Sequence, residues 1–212
     1  AFLVSSLQAK KSKYSFSQFL KRFSIVKEEM HIDLDEFDLS YYTYGMSIYK
    51  NMPLIEPLET KEVKKIYEFV IVLDTSYSIN EELAKRFLSN TYTILSTSNM
   101  FYKSCKVHII QCDDRIRKDD VISNQNEMDR LLNSFTLVGG GNTDFRPVFS
   151  YVNDLIHQKV FQNLCGLLYF TDGKGVYPKK SPAYKTAFIY LEDYDRSKVP
   201  SWAIQYRLEE KL

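Results

Sequence analysis

The chain has 212 residues, a formal net charge of +1 and 26% charged residues, as an ordinary globular protein has. This near-neutral balance gives no reason to expect a nucleic-acid or membrane partner. No apolar run approaches the ~20 residues that span a bilayer, and the start has no signal-peptide pattern. The three cysteines lack Cys-x-x-Cys spacing, which is typical of buried thiols in a reducing compartment. The sequence therefore predicts a cytoplasmic protein.

The first residues suggest that the chain is a piece of a longer protein, because it begins at Ala1 inside an apolar stretch. Apolar residues then recur at helical spacing, namely Phe16, Phe19, Leu20 and Phe23. This pattern predicts an amphipathic helix from about Phe16 to Val26. Its apolar face must be covered either by the later domain or by residues upstream of the chain.

The next stretch is acidic over residues 31–38 and rich in Tyr over residues 41–52. A calcium-binding loop does not fit here, because Asp38 stands where the glycine of such a loop belongs. The two prolines that follow favour an extended connector. We predict that residues 1–60 are a helical and extended appendage, the tail of a missing upstream domain, and that residues 61–212 form a separate domain.

The most informative stretch is the apolar run at residues 69–73, which ends in Asp74, Ser76 and Ser78. An unbroken run with β-branched residues predicts a buried strand whose carboxyl end presents oxygen atoms at one point. Ser78 and the glutamate three residues later have capping-box spacing and predict a helix at residues 81–95. By themselves, the three polar residues are equally well explained as caps of that helix.

Two later stretches have the same character. Residues 138–144 form a glycine-rich turn that ends in Thr143 and Asp144, and residues 164–170 form a second apolar strand, soon followed by Asp172. Ligands of open α/β sheets collect at the carboxyl ends of the strands, so we expect these groups to converge. Carboxylates and hydroxyls are the hard oxygen ligands that Mg²⁺ prefers.

The order Asp-x-Ser-x-Ser, then a loop Thr, then a strand-end Asp before Gly resembles the metal-ion-dependent adhesion site of von Willebrand factor A (VWA) domains. The resemblance implies that Mg²⁺, with Mn²⁺ or Ca²⁺ as alternatives, is bound by Asp74, Ser76, Ser78, Thr143 and Asp172. It also implies a surrounding set that supports the site or contacts a partner: Asp144, Gly140, Gly141, Asn142, Gly173 and Lys174. The open metal position would take a Glu or Asp side chain of a partner protein.

Residues 51–58 and 139–149 resemble a narrower group, the C-terminal VWA-like domain of bacterial proteins classed as predicted metallopeptidases. Bacterial members of the wider family often work alongside AAA+ ATPases of the MoxR type. The resemblance therefore implies a domain that docks on such an ATPase or presents a client to it. Any peptidase groups would lie mainly upstream of Ala1.

From residue 62 onward the predicted strands and helices alternate. Strands are predicted near residues 69–73, 106–111, 114–121, 164–170 and 186–191, and helices near 81–95, 127–135 and 145–158. Alternation of this kind predicts an α/β fold, a doubly wound and mostly parallel central sheet with helices on both faces.

A second hypothesis is a metal-dependent hydrolase, because a strand-end Asp with Mg²⁺ also describes aspartate-nucleophile phosphatases. Those enzymes need a second Asp two residues after the first, where this chain has Ser76. No P-loop motif is present, and no histidine lies in the three site stretches. We therefore expect any catalytic groups to lie mainly outside this chain.

Two groups of charges complete the prediction. The run at residues 115–120 is typical of a solvated loop. Lys174, Lys179 and Lys180 follow the strand-end Asp172, where they would steer an acidic partner toward a bound cation.

Overall fold

The structure of this chain is a computed structural model, which describes residues 16–50, 52–77, 79–97, 101–191 and 193–208, with the backbone alone for 102–104. The described residues form two compact units. We call residues 25–65 the hairpin unit, and residues 16–24 with 66–208 the α/β unit. Among the described helices, none is long and apolar enough to cross a membrane.

Helix α1 covers residues 16–20 and is followed by a 3₁₀ turn at Lys21–Phe23. The sequence predicts a helix as far as Val26, but the chain is already extended at Ser24, whose N–H and hydroxyl both donate to the Lys21 carbonyl. The apolar residues Phe16, Phe19, Leu20 and Phe23 are all buried. The Phe23 ring packs edge-on against Phe69 of the central strand, so the α/β unit itself covers the apolar face of α1.

In the hairpin unit, strand β1 (Ile25–Phe37) pairs antiparallel with the first part of strand β2 (Pro57–Asp74). Helix α2 (Leu39–Tyr49) lies between them in the chain, where the sequence predicts an extended connector. Asp38 explains the start of α2, because its carboxylate accepts the N–H of Ser40 at 2.7 Å. Among the described residues of the predicted connector, Lys50 and residues 52–56 are without regular structure.

The α/β unit is built on one sheet with the strand order β4-β3-β2-β5-β6-β7. Its further strands are β3 (Phe101–Cys112), β4 (Ile116–Ile122), β5 (Leu164–Thr171), β6 (Thr186–Tyr190) and β7 (Ile204–Arg207). All of them run parallel to β2 except β4, which pairs antiparallel with β3. The chain goes from β2 to β3 on one side and later returns to β5 on the other. The carboxyl ends of β2 and β5 therefore form the topological switch point, where ligands bind in such sheets.

Helices cover both faces of this sheet: α3 (Glu81–Thr97), α4 (Gln125–Asn133) and α5 (Arg146–His157). Side chains of β2 alternate between the faces, because successive residues of a strand point to opposite sides. Val70 and Val72 belong to the core that includes Val148 and Val152 of α5. On β5, Phe170 stacks on Phe87 of α3, with ring centroids 4.1 Å apart. The predicted doubly wound α/β fold with a mostly parallel sheet is confirmed.

Candidate functional site

Asp74 is the last residue of β2, and its carboxylate is completely buried at the switch point. One oxygen accepts the N–H of Ser76 at 2.9 Å, and the other accepts the hydroxyl of Thr171 at 2.6 Å. Burial raises the pKa of Asp74, and the hydrogen bonds from Thr171 and Ser76 offset part of this rise. The carboxylate of Asp172 adds to it by repulsion. Two carboxylates therefore lie close together at the end of the sheet.

Asp172 directly follows β5 and is almost completely buried. Its Oδ1 accepts the N–H of Lys174 at 3.0 Å, and its Oδ2 lies 3.5 Å from the Lys174 ammonium. Gly173 between them has φ +83°, a conformation that favours glycine. The N–H of Gly173 donates to the hydroxyl of Thr171, which in turn donates to Asp74. Thr171 thus connects the two strand ends.

The glycine-rich loop packs against the turn that follows β2. A Cβ on Gly139 would collide with the hydroxyl of Thr75, so only glycine allows this close approach. Gly140 lines a shallow cavity of about 170 Å³ together with Ser76 and Tyr77. The structure therefore brings this part of the loop next to the Asp-x-Ser turn.

Asp113, which the sequence analysis did not single out, anchors the other end of the loop. Its buried Oδ2 accepts the N–H of Gly141 at 3.2 Å, and its carbonyl accepts the N–H of Asp144 at 3.1 Å. Asp113 follows β3, the strand beside β2, so its position at a strand end was the signal that could have identified it.

Arg117 pairs with Asp113 through two nitrogens, with Nη2 2.7 Å from Oδ2 and Nε 2.8 Å from Oδ1. Burial by itself raises the pKa of Asp113, but hydrogen bonds donated by Arg117 and by the N–H groups of Arg115 and Gly141 outweigh it. The net result is a pKa well below the usual range. The prediction of a solvated loop at residues 115–120 is therefore wrong, because Arg117 lies on strand β4 and forms an ion pair with a buried carboxylate.

The remaining predicted residues differ in their surroundings. Thr143 has its methyl group close to Gly175, which leaves no room for a Cβ there. Asp144 forms a bidentate pair with Arg146, with Oδ2 2.6 Å from Nη2, and Arg146 holds the pKa of Asp144 below its ordinary value. Asn142 is exposed. Ser78 lies outside the described residues.

The start of helix α3 tests the alternative that the polar residues after β2 only cap this helix. The helix begins at Glu81, and Asn80 is its cap, because Asn80 Oδ1 accepts the N–H of Glu82 at 2.9 Å. The predicted start of the helix at residue 81 is confirmed, and Ser78, the predicted cap, lies outside the described residues. Asp74 bonds within its own turn and to Thr171 instead, so it is not a cap of α3.

The donor set fits a hard divalent cation. Asp74 and Asp172 are buried carboxylates at the ends of neighbouring strands and repel each other, and the hydroxyls of Thr171 and Ser76 lie at Asp74. The ammonium of Lys174, 3.5 Å from Asp172 Oδ2, brings one positive charge to this pair of carboxylates. Carboxylate and hydroxyl oxygens with excess negative charge suit Mg²⁺. In the described part of the chain, no group of three or more His, Cys, Asp or Glu side chains is arranged to hold a metal ion. The predicted ligand set contains only two residues of these types, Asp74 and Asp172.

A tyrosine pair supports the loop after β5. The hydroxyl of Tyr177 lies 3.3 Å from the carbonyl of Gly173 and 3.1 Å from the hydroxyl of buried Tyr190. We expect Tyr177→Phe to lower the free energy of unfolding by about 1–2 kcal/mol, since the Tyr190 hydroxyl loses its partner. Tyr184→Phe is the matched control, because the buried Tyr184 hydroxyl has no hydrogen-bond partner among the residues that the structure describes. It should be neutral or slightly stabilising in urea unfolding, and an equal loss in both variants would contradict the role of Tyr177.

One solved structure supports the fold, and two others are more loosely similar. A von Willebrand factor type A protein from Catenulispora acidiphila aligns over 72% of this chain with a TM-score of 0.50 and 9% identity. This chain spans only 41% of that protein. The VWA domain of SpRpn10 aligns over 68% of this chain and 89% of its own length, with a TM-score of 0.47 and 9% identity. The ArnB paralog VWA2 from Sulfolobus acidocaldarius aligns over 89% of this chain and 52% of its own, with a TM-score of 0.43 and 14% identity.

A search of curated proteins finds no match. The family model described as VWA-like domain (DUF2201) matches residues 69–209, which include every predicted metal ligand. The match covers more than half of the sequence, and the α/β unit has the corresponding fold. The chain therefore belongs to the family of VWA-like domains designated DUF2201.

Proposed function

We propose that the chain is a metal-dependent protein-interaction module. Asp74, Ser76, Ser78, Thr143 and Asp172 would hold Mg²⁺, with Mn²⁺ or Ca²⁺ as alternatives. The observation that carries the proposal is the pair of nearly buried carboxylates, Asp74 and Asp172, at the switch point of the sheet. The cation would supply positive charge and an exchangeable coordination position for an acidic side chain of a partner.

The residues of the chain prepare this site in three ways. Thr171 donates to Asp74 and fixes the orientation of that carboxylate. Asp113 holds the glycine loop, and with it the segment that carries Thr143. Arg146 pairs with Asp144 and neutralises a third carboxylate, which leaves Asp74 and Asp172 as the ligand carboxylates.

The lysines after β5 would act on the rate of association. Lys174 already contacts Asp172, and Lys179 and Lys180 are exposed on the same loop. Positive charge beside the site attracts an acidic partner over about a Debye length, ~10 Å at moderate salt. The partner that the resemblance implies is an AAA+ ATPase of the MoxR type, with this chain as the C-terminal part of a larger bacterial protein.

A direct binding measurement tests the proposal. The chain is immobilised, and a MoxR-type ATPase is passed over it in Mg²⁺ and again in EDTA. We expect binding in Mg²⁺ that is abolished by EDTA and by Asp74→Ala, because both remove the coordinate bond. Asp154→Asn, an exposed carboxylate change on α5, is the control and should leave binding intact.

Lys179→Ala should behave differently from Asp74→Ala. We expect it to lower the association rate constant at low salt only, since it removes attraction and no coordinate bond. Binding of full strength in EDTA would contradict the metal-dependent mechanism. The alternative function, part of a metal-dependent hydrolase, predicts instead that a generic phosphatase substrate is cleaved in Mg²⁺ and that Asp74→Ala abolishes cleavage.

A further inference from the structure

Most of the large apolar side chains that are exposed among the described residues lie in the hairpin unit. Gly45 is the only buried residue among the described residues of this unit. On β1, Met30 is 89% exposed, Leu34 is 86% exposed and Ile32 is 60% exposed. Single exposed apolar residues are normal, but three within five residues of one strand mark an interaction site. We call Met30, Ile32 and Leu34, together with Asp33, Asp35 and Glu36, the β1 surface.

The negative charge of the β1 surface indicates what kind of partner would bind there. From Glu28 to Asp38 the sequence has six carboxylates and no Lys or Arg: Glu28, Glu29, Asp33, Asp35, Glu36 and Asp38. Asp33, Asp35 and Glu36 form no ion pair with any described residue. A second copy of the chain would bring the same negative charge and would be repelled. A basic occupant would neutralise it.

The second edge of the β1 backbone also bears on what could bind this surface. Within the described residues β1 pairs with β2 alone, and the register is interrupted between Met30 and Asp33 and again before Phe37. The carbonyl and N–H groups on the other edge are therefore available to an added strand. In the same unit, helix α2 exposes the rings of Tyr41, Tyr44 and Tyr49, which are favourable neighbours for a guanidinium or ammonium group.

We infer that the β1 surface binds an extended segment of a partner protein in which basic and apolar residues alternate. The apolar side chains of the segment cover Met30, Ile32 and Leu34, and its basic side chains pair with Asp33, Asp35 and Glu36. Main-chain hydrogen bonds to the free edge of β1 hold the segment in register. This site lies before the residues that the family model matches and is independent of the candidate metal centre.

Peptide binding to the whole chain tests this inference. The probe is a ten-residue synthetic peptide of alternating Lys and Val, labelled for fluorescence anisotropy, and the matched probe has Glu in place of each Lys. All measurements are made in EDTA, so that a failure of the metal-dependent proposal cannot affect them. We expect the Lys peptide to bind, with affinity that falls as salt rises, and the Glu peptide not to bind. Hydrogen exchange should slow at backbone amides of β1 when the Lys peptide is added.

Two double variants separate the apolar and charged contributions. Met30→Gln with Leu34→Gln should weaken binding of the Lys peptide about tenfold or more, since two apolar side chains lose their contacts. Asp33→Asn with Asp35→Asn should weaken it and reduce its dependence on salt. Met52→Gln, an exposed change outside β1, is the control and should have no effect.

Three results would overturn the inference. The first is no binding of the Lys peptide, and the second is binding that neither double variant weakens. The third is a concentration-dependent dimer in analytical ultracentrifugation that Leu34→Gln abolishes, because that result would make a second copy the occupant. Thermal melting of each variant checks that it is folded, and exposed changes of this kind are expected to leave the melting temperature close to that of the parent.

Discussion

Asp113→Ala is expected to lower the free energy of unfolding by about 1.5–3 kcal/mol, because it removes a buried carboxylate that accepts charge-assisted hydrogen bonds from Arg117. The side chain of Arg117 is 22% exposed, so it cannot be fully solvated where it stands. The same change removes the acceptor for the N–H groups of Arg115 and Gly141. The glycine loop would lose its anchor, and the measurement is urea unfolding at neutral pH.

The neighbouring carboxylate provides the control. Asp114 is also within reach of Arg117, at 3.3 Å, but its side chain is 56% exposed. Asp114→Ala should cost no more than about 1 kcal/mol, as is typical of exposed ion pairs. Equal losses for the two variants would contradict the anchoring role of Asp113.

The loss of stability caused by Asp113→Ala should depend on pH in a definite direction. The pKa of Asp113 is lower in the folded protein than in the unfolded chain, where an aspartate has a pKa of about 3.9. Its contribution to stability is therefore fully present above the unfolded pKa and is lost as the pH falls toward the folded value. The difference between parent and Asp113→Ala should be constant from about pH 7 to pH 5 and should shrink below about pH 4.

The second large effect is expected from Mg²⁺ itself. At about 10 to 100 times its Kd, a ligand that binds only the folded state adds about 1.4–2.7 kcal/mol to the free energy of unfolding. For a chain of this size the melting temperature should rise by roughly 3–10 °C. The physical reason is the repulsion between the Asp74 and Asp172 carboxylates, which a divalent cation relieves.

Asp172→Asn is the variant that decides this prediction. It should abolish the Mg²⁺ shift, yet in EDTA it should melt no lower than the parent, because one of two adjacent charges is gone. The asparagine oxygen can still accept the N–H of Lys174, so the local turn is kept. Asp74→Ala is less informative, since it also removes the acceptor for Thr171 and Ser76. Asp154→Asn should retain the full shift, and a parent protein without any shift would contradict the metal site.

Local patterns in the sequence predicted most of the α/β unit. The apolar runs at residues 69–73 and 164–170 form buried parallel strands, because a strand covered on both faces must be apolar at every position. Carboxylates directly after such strands were expected at the sheet end, and Asp74 and Asp172 lie there. The binding of a metal by these residues stays a prediction.

Tertiary contacts decided what no local pattern encodes. Residues 39–49 lack the apolar stripe of a packed helix, yet they form helix α2. Residues 30–35 do alternate apolar and polar side chains, a strand pattern that the prediction of an appendage left unused. Helix α1 ends before Val26 because the β-branched residues that follow enter strand β1.

The partners of the charged residues were equally inaccessible to sequence analysis. Asp113 and Arg117 stand in a run of charges that is typical of solvent, and only the meeting of β3, β4 and the glycine loop buries the carboxylate. The sequence by itself determined the buried strands of the α/β unit, their alternation with helices and the polar residues at their ends, since these depend on burial periodicity. Which charge pairs with which, and which loop each carboxylate holds, depends on distances between segments remote in the chain, so only the folded structure decided them.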